Sequence, residues 1–178
     1  FDCDTLLLSV GLIPENELSR AAGVDLNPIT NGPIVNESLE TNIPGVFAAG
    51  NVLHVHDLVD FVSQEASAAG RHAAAYIQNG SKTVSKEIAV KCENGVRYTV
   101  PVTIRPEAMD ENGSVTLRFR VGNVYKNKKV VVYAGDTAIF SRKRPVLAPG
   151  EMEDVIIKTK QLLDHPEVDH ITVTLEEA

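Results

Sequence analysis

The stretch TNIPGVFAAGNVLHVHDLVD, residues 41–60, decides how the first half of this sequence is interpreted. Its apolar run, GVFAAG, ends in small residues and is followed at once by Asn51 and a polar loop. A strand that only fills a core needs no such terminus. A glycine at the end of a buried strand lets a ligand approach the backbone, because no Cβ stands in the way. The pattern therefore predicts a strand whose carboxyl end meets a ligand.

A helix is predicted after this loop, beginning at Asp57 or Asp60. Apolar side chains recur at spacings of three and four, the period of one helix face: Val62, Ala66, Ala69, Ala73 and Ile77. Asp60 suits the N-cap and Gly80 the C-terminal stop, and the interior Gly70 indicates a close neighbour. The helix start presents free N–H groups and the positive end of its dipole. Strand, loop and helix start together predict half of a site for a polyhydroxylated or anionic cofactor.

The residues before this stretch predict further α/β structure. Residues 2–10, with the apolar run DTLLLSV, predict a buried strand of a parallel sheet. The sequence PENELSRAAG predicts a short helix that begins near Pro14 and stops at Gly23. Asn31-Gly32 predicts a turn. Residues 1–82, called the N-terminal segment below, are therefore predicted to be an α/β segment.

The second half of the chain has a different texture. Residues 79–87 are polar and predict a linker, and residues 87–178, called the β domain below, predict about seven strands with regular turns. That pattern is typical of an all-β immunoglobulin-like sandwich. Glu93-Asn94-Gly95 predicts a hairpin between its flanking strands. The alternation in SVTLRFRV predicts a strand with Val115, Leu117, Phe119 and Val121 inward and Thr116, Arg118 and Arg120 outward.

Charge also divides the chain, and it limits the function classes. Residues 1–84 carry a net charge of −7, whereas residues 85–178 are neutral. Eight lysines and arginines between Arg118 and Arg144 face one acid, Asp136, which suits a nucleic acid or an acidic partner subunit. The acidic tail from Glu151 to Ala178 offers a neutralising surface within the same chain. We therefore expect no nucleic-acid partner, and docking of an acidic subunit on the β domain stays open.

The cysteines and the hydropathy of the sequence predict the cellular compartment of the protein. Cys3 and Cys92 form no metal-spaced or CxxC pair and are expected to be lone buried thiols. No apolar run is long enough for a membrane span, and no secretory signal is visible. These features predict a reduced, cytoplasmic protein without a membrane span.

Three motifs together resemble one enzyme family. TNIPGVFAAGN closely resembles the second FAD-binding signature of the pyridine nucleotide-disulfide oxidoreductases, the thioredoxin reductase-like flavoproteins. CDTLLLSVGLIPENEL resembles the return from the NAD(P)-binding domain to the FAD domain, and SQEASAAGRHAA resembles the helix that ends the FAD domain. The resemblance implies that residues 1–82 are the C-terminal segment of the FAD domain of a flavoprotein with two dinucleotide-binding domains. It also implies that the chain is a fragment of that enzyme.

The resemblance also implies cofactor-binding residues. Gly50 would lie against the FAD pyrophosphate and ribityl chain, and Asn51 would hydrogen-bond the ribityl hydroxyls or a phosphate. Backbone N–H groups near Gln64 and Glu65 would face the pyrimidine edge of the isoalloxazine. Asn51 stands where most of the family has Asp, and an amide keeps one acceptor while gaining two donors. The long loop from His54 to Asp60 is similar to that of a branch of NAD(FAD)-dependent dehydrogenases.

The predicted function follows from this resemblance. The complete enzyme would take hydride from NAD(P)H onto FAD and pass electrons to an acceptor, while the protein positions and tunes the flavin. No catalytic residue is assigned. The G-x-G-x-x-G fingerprint does not occur in this chain, so the chain alone is expected to bind FAD poorly and to show no turnover. The alternative is that the β domain is a protein-binding or assembly module attached to a flavoprotein scaffold.

The histidines of the loop require a separate interpretation. His54 and His56 alternate, and with Asp57 they have the spacing of metal ligands on an extended loop. No third strong ligand is close in sequence, so no metal is predicted and a metal-dependent hydrolase ranks last. A flavin-edge loop or exposed histidines are preferred. His72, on the helix, is expected to cap or pair locally.

Overall fold

The structure is a computed structural model that describes residues 2–9, 11–80, 82 and 84–178. The helices are α1 (Glu17–Ala21), α2 (Val59–Asn79) and α3 (Thr159–Leu163), and short 3-10 turns span Gly50–Val52 and Pro106–Ala108. The strands are β1 (Ile88–Cys92), β2 (Val96–Val100), β3 (Thr103–Ile104), β4 (Ser114–Val121), β5 (Tyr125–Ala134), β6 (Thr137–Leu147), β7 (Glu153–Lys158) and β8 (His170–Glu177). The described residues change from helices and loops before residue 80 to a β-rich part after residue 87. Because α3 lies in that second part, the all-β prediction is wrong.

The predicted strand at residues 2–10 is wrong for its described part, residues 2–9; Val10 lies outside the described residues. Leu6, Leu7 and Leu8 are 74%, 89% and 73% exposed. An apolar strand of a parallel sheet needs hydrogen-bonding neighbours and helices that cover both faces. The described part of the chain places no strand beside these leucines, so the run stays irregular.

The predicted strand GVFAAG is reduced to one isolated bridge, in which Phe47 pairs with Glu40. Ala48 is buried, and its N–H donates to the carbonyl of Leu39 at 3.0 Å. Gly45 and Gly50, at the two ends of the run, have φ angles of 78° and 73°. These left-handed residues bend the backbone away from the extended conformation, so the run ends as a turn.

Both predicted helices and the predicted turn are confirmed. Helix α1 precedes Gly23, the turn has Asn31 at a φ of 57°, and α2 is capped by Gly80 at a φ of 69°. The N-cap of α2 is Leu58, so the prediction of Asp60 is wrong by two residues, and Asp60 lies in the first turn.

The predicted buried face of α2 is wrong in part. Ala69 is buried, but Ala66 is exposed and Ile77 is 84% exposed. The helix instead turns the charged Glu65 inward, because that side chain has partners on the loop and on the β domain. Nothing lies within 4 Å of a Cβ built at Gly70, so the expected close neighbour is absent from the described residues.

The β domain consists of two sheets over one apolar core. The strand orders are β3-β1-β8-β5-β6 and β2-β4-β7, and β1 and β8 run parallel while the other pairs are antiparallel. Core residues from both sheets include Phe119, Leu117, Ile171, Val130 and Ile157. The inward alternation predicted for β4 is confirmed. The immunoglobulin-like strand arrangement stays a prediction.

The turn predicted at residues 93–95 forms, with Asn94 and Gly95 at φ angles of 44° and 101°. The hairpin prediction is nevertheless wrong, because β1 and β2 belong to different sheets. In its own sheet β1 lies between β3 and β8, which pair with it on its two sides. The chain therefore crosses from one sheet to the other at this turn.

The N-terminal segment packs on the β domain through a second apolar cluster. Tyr98 and Val100 of β2 join Val35, Leu39, Ala48, Leu53 and Ala69 in this cluster. The N–H of Val102 donates to the carbonyl of Val35 at 3.1 Å. In the predicted linker, where Ser81 and Thr83 lie outside the described residues, Ser85 bonds to the Glu107 carboxylate. The two parts share a buried interface.

The predicted pairing of the basic cluster with the acidic tail is confirmed for four of its eight cations: Lys129 with Glu176 at 3.0 Å, Lys128 with Glu177, Arg142 with Glu153 and Asp154, and Arg144 with Glu153. The two lysine pairs join the adjacent strands β5 and β8. Arg118 and Arg120 instead lie near Glu65 and Asp57 of the N-terminal segment, each at 3.7 Å.

Two further expectations concern the cysteines and membrane spans. Cys3 is exposed, which contradicts the expectation of a buried thiol, and Cys92 is half-buried; both are free. Burial raises the pKa of the Cys92 thiol. Within the described residues, no helix combines the length and the apolar character that crossing a bilayer requires.

Candidate functional site

The site is built around a tight turn at Gly50. This residue has a φ of 73°, and its carbonyl accepts hydrogen bonds from the N–H groups of Leu53 and His54 at 2.9 and 3.2 Å. A Cβ at this position would lie 3.3 Å from Cγ1 of Val62. The left-handed backbone and the close helix both favour glycine here. The following residue, Asn51, is exposed.

The carboxylate of Glu65 lies directly behind this turn, and its side chain is 0% exposed. Oε1 accepts hydrogen bonds from the Gly50 N–H at 2.6 Å and from Nε2 of His56 at 3.1 Å. Oε2 accepts from Nε2 of His54 at 3.0 Å, and the Arg118 guanidinium lies 3.7 Å away. The buried anion is thus surrounded by donors, which is what an ionised group needs when water is excluded.

These contacts determine the ionisation of Glu65. Burial by itself raises the pKa of this carboxyl. The hydrogen bonds from His54 and His56, the charge of His54 and the Gly50 N–H outweigh burial and lower the pKa to about 2. The carboxylate is therefore ionised throughout the neutral range, and it holds the Gly50 N–H as a charge-assisted acceptor.

The two loop histidines are buried, so the expectation of exposed histidines is wrong. His54 is 1% exposed and His56 9%, and their rings meet edge to face at 4.4 Å. Burial lowers the pKa of His54, although its hydrogen bond to Glu65 acts in the opposite direction. Each Nδ1 is buried without a hydrogen-bond partner among the described residues. Neutral rings protonated on Nε2 fit this arrangement, because a buried unpaired N–H on Nδ1 would cost more.

The β domain contributes side chains that the sequence placed on its outward face. Arg118 and Arg120 of β4 do point away from the core, but the N-terminal segment covers them. Arg120 donates to the carbonyl of Val55 at 3.0 Å and lies 3.7 Å from Asp57. The N–H of Met152 donates to Asp57 at 3.0 Å. The loop between the turn and α2 is therefore fixed by the β domain.

The structure brings the four predicted cofactor-binding residues together. Gly50 and Asn51 form the turn, and Glu65 holds the turn from behind. Gln64 is exposed beside them and accepts a hydrogen bond from Arg118 at 3.5 Å. Gln64 and Glu65 are the sixth and seventh residues of α2. Free N–H groups occur only in the first turn of a helix, and the N–H groups of these two residues lie beyond it. His72, expected to pair locally, bonds through Nδ1 to the distant carbonyl of Ser38 at 2.8 Å.

Sequence reasoning missed a third group beside the two histidines. Donor atoms of His54, His56 and Glu65 all lie within 4.8 Å of one another, a spacing that metal sites also show. The prediction looked for the third ligand close in sequence, but helix α2 supplies it. The sequence did contain a signal for this cluster. It is a pair of histidines two residues apart, followed by a helix with one inward glutamate.

The comparisons with known proteins concern the sequence around this turn. Residues 1–73 match the family described as pyridine nucleotide-disulphide oxidoreductase. Residues 1–73 are thus similar in sequence to this family. The predicted resemblance is confirmed over these residues, which include the Gly50 turn and most of α2.

Two curated relatives match at moderate identity. A ferredoxin–NADP reductase of Picrophilus torridus is 38% identical over 52 residues, which cover 29% of this chain and 16% of that protein. An NADH oxidase of Methanocaldococcus jannaschii is 30% identical over 89 residues, covering 50% of this chain and 18% of that protein. The chain thus spans less than a fifth of either relative. No solved structure matches the chain significantly.

Proposed function

We propose that this chain contributes to an FAD-dependent oxidoreductase that takes hydride from NADH or NADPH, and that its Gly50–Asn51 turn contacts the flavin cofactor. The observation that carries the proposal is the position of the turn. It lies inside the family match and combines a left-handed glycine with an exposed amide side chain. The two relatives are named for a reaction with NADP and for a reaction with NADH, which supports a nicotinamide as the hydride donor.

The residues of the turn suit the ribityl chain and pyrophosphate of FAD. Gly50 lets a ligand approach the backbone. Asn51 accepts a hydrogen bond from the His56 N–H through Oδ1 at 3.1 Å, and this bond fixes its amide plane. Its amide nitrogen meets no protein acceptor among the described residues, so two donors are available to hydroxyl or phosphate oxygens. Bound FAD would supply the hydride-accepting isoalloxazine.

The other two cofactor residues have different parts in this proposal. Gln64 is exposed near the turn and would contact the flavin at the rim of the site. The Glu65 carboxylate is buried with both oxygens occupied, so it would act on the flavin through Gly50. The N-cap of α2, Leu58, makes no side-chain capping bond. The Phe61 N–H donates to the Leu58 carbonyl at 3.2 Å, and the N–H groups before it are proposed to face an electron-rich edge of the flavin.

The test uses the complete natural protein and compares FAD dissociation constants. Asn51→Ala removes the proposed donors and should weaken FAD binding about tenfold, the value of roughly one net hydrogen bond to a ligand. Asn51→Asp replaces these donors by an oxygen that can accept from the ribityl hydroxyls, so it should bind within about threefold of the natural protein. The matched control is Asn123→Ala, because Asn123 also accepts one local backbone N–H but lies on the β domain. Unchanged FAD affinity in Asn51→Ala would reject the proposal.

The proposal also covers domain division, chain length and location. We propose the division into an N-terminal segment (1–82) and an immunoglobulin-like β domain (87–178), and we propose that the complete enzyme is a longer protein. A cytoplasmic location is supported by the two free cysteines. The alternative, a protein-binding module, is weakened because Lys128, Lys129, Arg142 and Arg144 already pair within the chain.

A further inference from the structure

We propose that the β domain positions the Gly50–Asn51 turn, with Arg118 as the positioning residue that holds the buried Glu65 carboxylate in place behind Gly50. This inference assigns a role to the β domain, and it rests on the proposed function for what the turn binds. Arg118 touches no cofactor in this account; it acts through Glu65.

The contacts of Arg118 all lead to helix α2. Its side chain is 12% exposed, and one guanidinium nitrogen lies 3.7 Å from Glu65 Oε2. Another donates to Gln64 Oε1 at 3.5 Å, and the guanidinium carbon lies 5.8 Å from the centre of the Phe61 ring. The backbone of Arg118 is fixed in the middle of β4, between β2 and β7. A rigid sheet thus holds a cation against the helix.

The charge of Arg118 matters because Glu65 is a buried anion. A buried carboxylate without a cation either takes up a proton or admits water. Both responses would weaken the hydrogen bond from the Gly50 N–H, since a neutral carboxyl is a poorer acceptor than a carboxylate. The two histidines donate to the same carboxylate from the loop. Arg118 adds a permanent cation 3.7 Å from Oε2, and this cation comes from the β domain.

A second set of contacts supports the same role independently. Arg120 bonds to the Val55 carbonyl, and the Met152 N–H bonds to Asp57. These bonds fix the chain between the turn and α2. The β domain therefore contacts the turn region both through Glu65 and through the loop that follows the turn.

A metal bound by His54, His56 and Glu65 is the competing interpretation of this cluster. Metal-bound imidazoles nearly always donate their second ring N–H to an acceptor, whereas each Nδ1 here lacks a partner among the described residues. One Glu65 oxygen is already taken by the Gly50 N–H at 2.6 Å, and the Arg118 cation stands beside the other. Hydrogen bonds satisfy the cluster better than a cation would.

The experiment compares Arg118→Gln with the conservative Arg118→Lys and with a control, Lys128→Gln. Lys128 is another β-domain cation, but its ion-pair partner is Glu177 of β8. Amide hydrogen exchange of Gly50 is measured by NMR on the 178-residue chain, with the Ile171 amide of the core as a reference for global opening. In Arg118→Gln, Gly50 should exchange about tenfold faster while Ile171 is unchanged. Arg118→Lys and Lys128→Gln should stay within about threefold of the natural chain.

A spectroscopic readout separates positioning from a general loss of structure. The imidazole nitrogen shifts of His54 should show a neutral ring protonated on Nε2. Because the charge of Arg118 lowers the pKa of His54, Arg118→Gln should move the titration of this ring to higher pH, whereas Lys128→Gln should leave it unchanged. Unaltered Gly50 exchange and His54 titration in Arg118→Gln would overturn the inference. So would one equivalent of transition metal bound at the two histidines.

Measuring FAD affinity in the same variants distinguishes failure of the positioning inference from failure of the proposed function. In the complete protein, Arg118→Gln should raise the FAD dissociation constant about tenfold and Lys128→Gln should not. If the complete protein binds no FAD, the proposed function fails, and the Gly50 exchange rates still decide whether the β domain positions the turn. If FAD binds and Arg118→Gln leaves its affinity unchanged, the positioning inference fails alone.

Discussion

Glu65 accepts a hydrogen bond from the backbone N–H of Gly50, with 2.6 Å between Oε1 and the nitrogen. Both residues are buried, and they lie on different elements, the helix α2 and the turn before it. This contact converts a flexible glycine turn into a fixed one. The carboxylate is therefore a structural centre of the site rather than a ligand contact.

Replacing Glu65 by Gln should make stability depend less on pH. The pKa of Glu65 lies at about 2, below its ordinary 4.5. The stabilisation from the ionised form is therefore complete above pH 4.5 and is lost as the pH falls toward 2. It corresponds to roughly 3 kcal/mol. Urea unfolding should show Glu65→Gln less stable by about 2–4 kcal/mol at pH 7, with the difference shrinking below pH 4.5. A difference that does not vary with pH would contradict this.

Gly32 should tolerate no side chain, for a reason unrelated to its φ angle. A Cβ built there would lie 1.6 Å from the carbonyl oxygen of Leu53, and backbone atoms cannot move aside as a flexible side chain can. Gly32→Ala should cost roughly 3 kcal/mol or more, and it should shift the loop that carries the two buried histidines. Thermal unfolding monitored by circular dichroism measures the loss. A melting temperature close to that of the natural chain would show that the two segments are not in contact.

Gly70→Ala is the opposite case and serves as the matched comparison. Gly70 is exposed inside α2, and a Cβ there meets nothing within 4 Å. Alanine should stabilise the chain by about 0.5–1 kcal/mol through helix propensity. The same thermal measurement should give a higher melting temperature. Destabilisation would indicate that another chain or segment packs on this face.

Arg105 and Glu37 tie the β domain to the N-terminal segment. The guanidinium donates to both carboxylate oxygens, with the closest contact at 3.0 Å, and the side chains are 16% and 4% exposed. A double-mutant cycle with Arg105→Ala and Glu37→Ala should give a coupling energy of roughly 1–3 kcal/mol. The exposed pair Lys128–Glu177 provides a control cycle with weaker coupling. Equal coupling in the two cycles would mean that Arg105 and Glu37 contribute no more than a surface pair.

Local patterns in the sequence were sufficient to predict the elements whose residue spacing is regular. Helix α2 was predicted from its periodicity and from Gly80, and β4 from its alternation. The pairing of strands was not predictable in this way. A turn at Asn94-Gly95 looks the same whether the chain returns to the same sheet or crosses to the other. The apolar run at Leu6–Leu8 predicted burial, because a pattern shows what a segment can bury but not what lies beside it.

Only the residues that belong to the sequence motif were predicted as part of the site. Gly50 and Asn51 were predicted to contact a cofactor because they follow an apolar run; the run forms a turn rather than a strand, and the cofactor contact stays a prediction. The network behind them was missed, since His54 and His56 meet Glu65 only when α2 folds back over the loop. Arg118 was correctly placed on the outward face of β4. Its contact with Glu65 depends on tertiary packing, which no local pattern encodes.

Flavin binding and its reduction by a nicotinamide are tested most directly by the visible absorbance spectrum of the complete natural protein. The protein is purified without added cofactor and then treated anaerobically with NADH or NADPH. The account predicts flavin absorbance bands that bleach with at least one of the two nucleotides, as hydride passes to the flavin. A protein that is colourless, and remains so after FAD is supplied and the excess is removed, would contradict the account.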